Sequence, residues 1–234
     1  TERKLLQSQI NPHFLYNTLD SIIWMIQSKK YEGAGKMVSM LAKFFRISLS
    51  QGKDIIPLQK ELEHAVSYLS IQNVRLPDKF TFTVDWDEKL ADCLCPKLVI
   101  QPLLENAVYH GMEGMYEDGE IQLKIYAVNE LVHIDVIDNG EGMTEAQVQK
   151  MMQGDVVSSK RGSGIGVKNV NDRIRLYFGE AYGVQIISAP DEGTTARIYF
   201  PMRRQEDETE KEGALGLCRR DSAGAAVVSW TAVL

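Results

Sequence analysis

The sequence predicts an α+β protein in two parts, an N-terminal helical hairpin followed by an α/β sandwich, and three observations carry that prediction. Apolar residues recur at helical spacing from the N-terminus to about residue 76. From Phe80 the period shortens to the two-residue alternation of a strand, Phe80-Thr-Phe-Thr-Val84. The composition, 44% hydrophobic and 25% charged over 234 residues, is that of an ordinary folded protein and excludes wholesale disorder and a collagen-like or coiled-coil-only chain.

Residues 1 to about 30 read as the first helix. At ~100° per residue, Leu15, Leu19, Ile22, Ile23 and Ile26 fall within one apolar stripe, which predicts the face turned to the core. Leu6, Ile10, Asn17 and Asp20 lie within about 60° of His13 on the same wheel, so the imidazole points away from that core. Pro12, lacking a backbone donor, predicts a bend or a weak turn just before it. Gly33 and Gly35 punctuate the chain, and Met37, Val38, Leu41, Phe44, Phe45 and Leu49 set a second helix over 35–50. Two helices joined by a short turn make an antiparallel hairpin. Its leftover apolar face predicts pairing with a second copy into a four-helix bundle, hence a homodimer. After Pro57, a third helix is expected from Leu58 to Leu76, with Glu61, Leu62, Ala65, Tyr68, Leu69 and Gln72 in register.

In the second part, 97–111 returns to helical spacing, 121–128 and 131–137 read as paired strands, 145–152 and 166–178 as helices, and 184–188 and 194–200 as closing strands. Helices on one face of a largely antiparallel sheet follow. Residues 205–234 carry six acids and three bases and read as a flexible tail. The expected divisions are therefore 1–57 for the hairpin, 58–75 for a connecting helix, 76–204 for the sandwich and 205–234 for the tail.

Composition also limits function. A net charge of −6 argues against a nucleic-acid surface. Cys93, Cys95 and Cys218 have no Cys-x-x-Cys spacing, which argues against a disulfide framework or structural zinc and fits a reducing compartment. The uncharged stretch Ala223 to Leu234, 12 residues, falls short of the roughly 20 that span a bilayer. The chain starts at Thr1 inside an amphipathic pattern, so we expect it to be the C-terminal portion of a longer polypeptide whose sensor or anchor lies upstream.

Four segments could carry chemistry. Asp138-Asn-Gly-Glu-Gly142 sets an acid at a strand end before two glycines; the carboxylate could accept from an exocyclic amine, or the segment is a plain Asp/Gly turn. Gly162-Ser-Gly164-Ile-Gly166 opens a helix at Val167 and could cradle phosphate on its amides, or form an ordinary flexible loop. Its spacing is neither the dinucleotide fingerprint nor the P-loop. Gln101-Pro-Leu-Leu-Glu105-Asn106-Ala-Val-Tyr-His110 interrupts an apolar helix with an amide suited to Mg²⁺ and an imidazole suited to phosphate, or shows a polar surface strip. Gln9-Ile-Asn-Pro-His13-Phe-Leu-Tyr-Asn17 exposes an imidazole and an amide one turn apart, unless the histidine is structural.

The order of these segments, a helix asparagine, then Asp-x-Gly-x-Gly, then Gly-x-Gly-x-Gly, then Gly193-Thr194-Thr195, resembles the boxes of the Bergerat-type (GHKL) ATP-binding fold of gyrases, mismatch-repair ATPases, heat-shock chaperones and histidine kinases. The N-terminal segment, Phe44-Phe-Arg-Ile-Ser-Leu49 and 58–69 resemble the phosphoacceptor region of YesM/LytS-type sensor histidine kinases, nearest to the YesM type, over about residues 1–201. The resemblance implies a two-component histidine kinase that uses ATP and Mg²⁺, phosphorylates His13 and passes the phosphoryl group to an aspartate of a response regulator. It implies Asn106 as the Mg²⁺ ligand, Asp138 as the adenine-binding acid, and Gly140, Gly142, Gly162, Gly164, Gly166 and Thr194 as the walls of the nucleotide pocket. His110, Lys160 and Arg161 are implied as phosphate contacts, and Glu105 as a candidate base. Many histidine kinases carry an acid directly after the phosphohistidine, where this chain has Phe14. An amide or hydroxyl at the spacing of Asn17 supports phosphatase action in related kinases. The implied setting is the cytoplasmic portion of a membrane-anchored bacterial sensor. A gyrase- or chaperone-like ATPase without phosphotransfer, or a nucleotide-binding scaffold, are the alternatives.

Overall fold

The computed structural model describes residues 12–48, 54–111, 118–154 and 163–204, with the backbone alone for His110, Gly111, Ser163 and Gly164. The expected Lys160, Arg161 and Gly162, the segment 1–11 and the tail 205–234 lie outside the described residues.

Helix α1 (Pro12–Gln27) and helix α2 (Tyr31–Ser48) form the expected hairpin. Pro12 is the first described residue of α1. The face that α1 buries is different from the one its wheel predicts. Phe14, Thr18, Ile22 and Met25 are buried, whereas Leu19, Ile23 and Ile26 are 41%, 51% and 49% exposed. The helix is apolar on two sides, and aromatic packing decides between them. Phe14 sits 5.0 Å from Phe44 and 5.2 Å from Tyr68, centroid to centroid, and takes its i+4, i+8 and i+11 neighbours inward with it.

Strand β1 (Ile55–Pro57) runs into helix α3 (Leu58–Arg75). Leu58, Glu61, Leu62, His64, Ala65, Ser67, Tyr68, Leu69, Ile71 and Gln72 of α3 are all buried. This helix is therefore a packing centre between the hairpin and the sheet, not a spacer. His64 stacks on Phe44 at 4.3 Å and holds Ser48 Oγ at 2.8 Å through Nε2; burial pushes its pKa down to about 4, so the ring is neutral.

The sheet comprises β2 (Phe80–Trp86), β4 (Gly119–Val128), β5 (Leu131–Asp138), β6 (Gly183–Ser188) and β7 (Thr194–Pro201), in the order β2-β4-β5-β7-β6. It is mixed: β2 runs parallel to β4, and the remaining pairs are antiparallel. Alternation puts Ile121, Leu123, Ile125, Val132, Ile134, Val136, Ile198 and Phe200 on the buried face. Helices α4 (Gln101–Asn106), α5 (Glu145–Gln153) and α6 (Ser163–Phe178) lie with them, and a π turn over Ala107–Gly111 extends α4. The sequence reading misses β1 and its antiparallel partner β3 (Leu94–Pro96), because three residues each are too few to show a period. It starts α4 at Lys97, but Leu98 has φ +58, which no α-helix admits, and the helix opens at Gln101. It starts α6 at Val167; the helix opens at Ser163, so Gly164 and Gly166 lie in its first two turns.

Phe44, 1% exposed and in ring contact with Phe14, His64 and Tyr68, joins all three N-terminal helices. Phe44→Ala should lower unfolding free energy by about 3–5 kcal/mol, measured by urea titration. A loss below about 1 kcal/mol would show that the hairpin is not packed on α3.

Candidate functional site

The C-terminal end of β5 supplies the central side chain. Inward alternation from Ile134 through Val136 carries Asp138 onto the buried face, where it is 8% exposed. Its carboxylate accepts the Gly140 N–H at 3.0 Å and a backbone N–H from Thr194, and among the described residues no cation pairs with it. Desolvation outweighs those two bonds and pushes its pKa up to about 6.

The backbone around Asp138 is fixed by glycines where nothing else fits. Gly142 has φ +66, and a Cβ there would run into the Ala189 carbonyl; Gly193 has φ +78, and a Cβ would run into the Asp138 carbonyl. Ser188 ties the two loops together. Its hydroxyl accepts the Met143 N–H at 2.9 Å, donates to the Gly193 carbonyl at 2.8 Å and lies 2.9 Å from Thr194 Oγ1. The Asp191 N–H donates to the Glu141 carbonyl at 2.7 Å, and Asn139 braces the start of β4 by accepting the Glu120 N–H at 2.7 Å and donating to the Asp118 carbonyl at 3.0 Å.

Over Asp138 opens a cavity of about 70 Å³. Asn106, Asp138 and Thr194 are its polar side chains; Leu103, Ala107, Val136, Met143, Met151, Val167, Ile186 and Ala196 supply apolar walls, with Gly142 at the rim. Asn106 stands where the α-helix passes into the π turn, a local rewinding that frequently marks functional positions. Glu105, its neighbour, does not line the cavity; half-buried, it accepts from Gln101 Nε2 at 2.9 Å, and burial raises its pKa. Gly166 faces α4, where a Cβ would stand 3.4 Å from Pro102 Cβ, a close but ordinary contact.

His13 and Asn17 form a second centre, on α1. His13 is exposed, and Asn17 Nδ2 lies 3.0 Å from its Nδ1 and 2.9 Å from its Nε2. Phe14, directly after His13, is committed to the core at 1% exposure.

Of the residues the sequence singles out, Asn106, Asp138, Gly142 and Thr194 share one cavity, Gly140 holds its acid, and Gly164 and Gly166 open the helix beside it. The side chain of His110 lies outside the described residues. Ser188 and Met143 are missed. A lone hydroxyl closing an apolar strand is the only local signal for Ser188, and it has many meanings.

Two family models match the chain: "Histidine kinase" over residues 1–80 and "Histidine kinase-, DNA gyrase B-, and HSP90-like ATPase" over residues 93–204. The sensor histidine kinase YesM of Bacillus subtilis is 40% identical over 205 residues, 88% of this chain and 34% of the relative. The sensor protein LytS of Bacillus anthracis is 34% identical over 208 residues, 88% of this chain and 35% of the relative. The chain thus spans about a third of the length of these relatives. A solved histidine kinase domain, from the blue-light activated kinase of Erythrobacter litoralis, superposes with a TM-score of 0.50 at 18% identity, covering 85% of this chain and 92% of that one, and shows the shared fold.

Gly193→Ala tests the loop geometry. The left-handed φ and the clash with the Asp138 carbonyl together should cost on the order of 1–3 kcal/mol, seen as a lowered thermal midpoint. An unchanged midpoint would mean that the loop is not held against β5.

Proposed function

The chain belongs to the YesM/LytS-type sensor histidine kinases and carries their ATP-binding domain, and on that premise we propose that it is a protein-histidine kinase. It transfers the γ-phosphoryl group of ATP to His13 and from there to an aspartate of a response regulator. The observation that carries the reading is a buried carboxylate with no cation partner among the described residues, at the base of an apolar cavity that also receives Asn106. A buried acid is costly, and such a group unspent on an ion pair is suited to a ligand's donor.

Asp138 accepts from the adenine amine, while Val136, Met143 and Ile186 exclude water from the ring. The base lies over Asp138 in this cavity, and the phosphates extend toward Asn106 and the glycine amides of the α6 start. Gly140 and Gly142 shape the rim, Thr194 lines the wall, and Gly162, Gly164 and Gly166 offer N–H groups to phosphate. His110, Lys160 and Arg161 add phosphate contacts. Mg²⁺, when bound, offsets phosphate charge; Asn106 supplies its oxygen ligand.

Neutral His13 attacks the γ-phosphorus in line. An N–P bond forms, the P–O bond to the β-phosphate breaks, and ADP leaves. Glu105, its pKa raised by burial, is the proposed acceptor of the imidazole proton. Asn17 must swing off the ring to free the attacking lone pair; beside a docked phospho-aspartate its amide can orient a water and support dephosphorylation. Residues 1–57 form the phosphoacceptor hairpin, 58–75 the connecting helix, 76–204 the ATP-binding domain and 205–234 a tail. Tyr16, Leu19, Ile23 and Trp24, each more than 40% exposed on α1, suit pairing with a second copy in a homodimer. The same reading makes the chain the cytoplasmic portion of a membrane-anchored sensor; among the described residues no helix is long and apolar enough to cross a membrane.

Incubation with γ-labelled ATP should leave acid-labile, base-stable label on the wild-type protein and none on His13→Gln. ATP turnover without retained label would favour a gyrase- or chaperone-like ATPase. Asn17→Ala should label normally but slow regulator dephosphorylation; loss of both would assign Asn17 to structure.

Asp138→Asn should weaken adenine-nucleotide binding by about 1–3 kcal/mol, roughly 5- to 150-fold. The wild-type affinity should fall as pH drops through about 6, because only the ionised carboxylate is the full acceptor and its pKa is raised to that value. The asparagine variant lacks that group and should keep only the shallower dependence that the nucleotide's own phosphates impose between pH 5 and 7.5, read by calorimetry. Equal pH dependence in both would remove Asp138 from the site.

A further inference from the structure

One stripe of α3 reaches the elements that carry both candidate centres. Glu61, Ala65, Tyr68 and Gln72, at i, i+4, i+7 and i+11, share a helix face, and all four are 0% exposed. Glu61 ends one side of it. Its Oε2 accepts the Leu98 N–H at 2.8 Å, and its Oε1 accepts the Val99 and Ile100 N–H groups at 2.8 and 3.0 Å. These three residues lead directly into α4, and Leu98 holds a left-handed φ of +58 that a branched side chain adopts only when its surroundings fix it. Successive N–H groups after a left-handed residue form a concavity suited to an anion; here an internal carboxylate fills it.

Gln72 ends the other side. Its amide nitrogen donates to Tyr68 Oη at 2.8 Å and to Tyr109 Oη at 3.1 Å, while its oxygen accepts Arg75 Nη1 at 2.6 Å. Tyr109 belongs to the π turn that continues α4. The segment bearing Asn106 is thus held by α3 before its first turn and after its last. Between the two holds, the Tyr68 ring packs against Phe14, the residue next to His13.

We propose that Glu61 and Gln72 are positioning residues, a two-point clamp by which α3 sets Asn106 for the phosphate side of the nucleotide site and ties that setting to the helix that carries His13. The proposal rests on the reading of Asn106 as the Mg²⁺ ligand. Neither side chain lines the cavity, so both act through the backbone and Tyr109.

The test is calorimetric titration of the whole chain with ADP, with and without Mg²⁺. Glu61→Gln keeps the volume but turns an amide N–H toward backbone N–H groups, so one donor loses its acceptor. Gln72→Leu releases Tyr109 at the other end. In both variants the enhancement of ADP affinity by Mg²⁺ should fall about 5-fold or more, while Mg²⁺-free ADP affinity, which reads the Asp138 end, stays within about 2-fold. An unchanged enhancement in Gln72→Leu overturns the clamp, as does an equal loss with and without Mg²⁺ in either variant, which marks a merely structural role. If Glu61→Gln does not fold, Gln72→Leu decides alone. A wild-type protein that binds ADP with no Mg²⁺ enhancement would instead overturn the Asn106 assignment, a separate failure.

Discussion

The structure depends on a carboxylate that should not be where it is. Glu61 has no exposed surface, and taking an ionised carboxylate out of water costs several kcal/mol. Three consecutive N–H groups meet it, and hydrogen bonds to a charged group are each worth roughly 1.5–3 kcal/mol. Burial raises the Glu61 pKa, against the three bonds and the Arg173 charge that lower it. The exchange is reciprocal. Without the carboxylate, the same three N–H groups would be buried orphans at a point where the Leu98 conformation already carries strain. Arg173 reinforces the loop by donating to the Lys97 carbonyl at 2.7 Å. The start of α4 is therefore a product of α3, and so is everything α4 presents.

The same accounting separates the proposed binding acid from a structural one on one strand. Asp135 and Asp138 both lie on β5, at 3% and 8% exposure. Asp135 meets Arg197 through two bonds of 2.8 and 2.7 Å and accepts from Tyr126 Oη at 3.0 Å, so its charge is spent inside the fold. Asp138 has only backbone donors and a pKa near 6. Three residues along a strand reverse the face, and with it the partner. What marks Asp138 is not burial, which both share, but the capacity left over.

Much of this was legible in the sequence because it depends on local periodicity or turn chemistry. The hairpin, α3, all five strands of the sheet and the Asp138-Asn-Gly-Glu-Gly142 turn follow from it. What the sequence did not show is long-range. The inward face of α1 is chosen by Phe44 and Tyr68, 30 and 54 positions from Phe14 along the chain, so the wheel alone selected Leu19 and Ile23 instead. β1 and β3 stabilise each other and have no signal apart. Ser188 acquires its role from Met143 and Gly193, which reach it from different loops. Glu61 was visible as a charged residue in register with Ala65, Tyr68 and Gln72 on an apolar stripe, but the N–H groups that explain it lie 37 to 39 residues on.

The residue after His13 shows how packing limits chemistry. An acid at that position would have its carboxylate where the Phe14 ring now touches Phe44 and Tyr68, with only aromatic carbon for company. The core that couples α1 to α3 therefore excludes a base from the next position. A candidate acid on another element is Glu105, whose charge is felt by Tyr68. Because Tyr68 also contacts Phe14, the proposed nucleophile helix and the proposed base report to one buried ring. A shift of α1 that moves Phe14 must repack Tyr68, and a repacked Tyr68 changes the surroundings of Glu105 and the hold of Gln72 on Tyr109. Close packing makes that change stepwise rather than gradual, which is the physical requirement for a helix hairpin to switch a neighbouring site on or off.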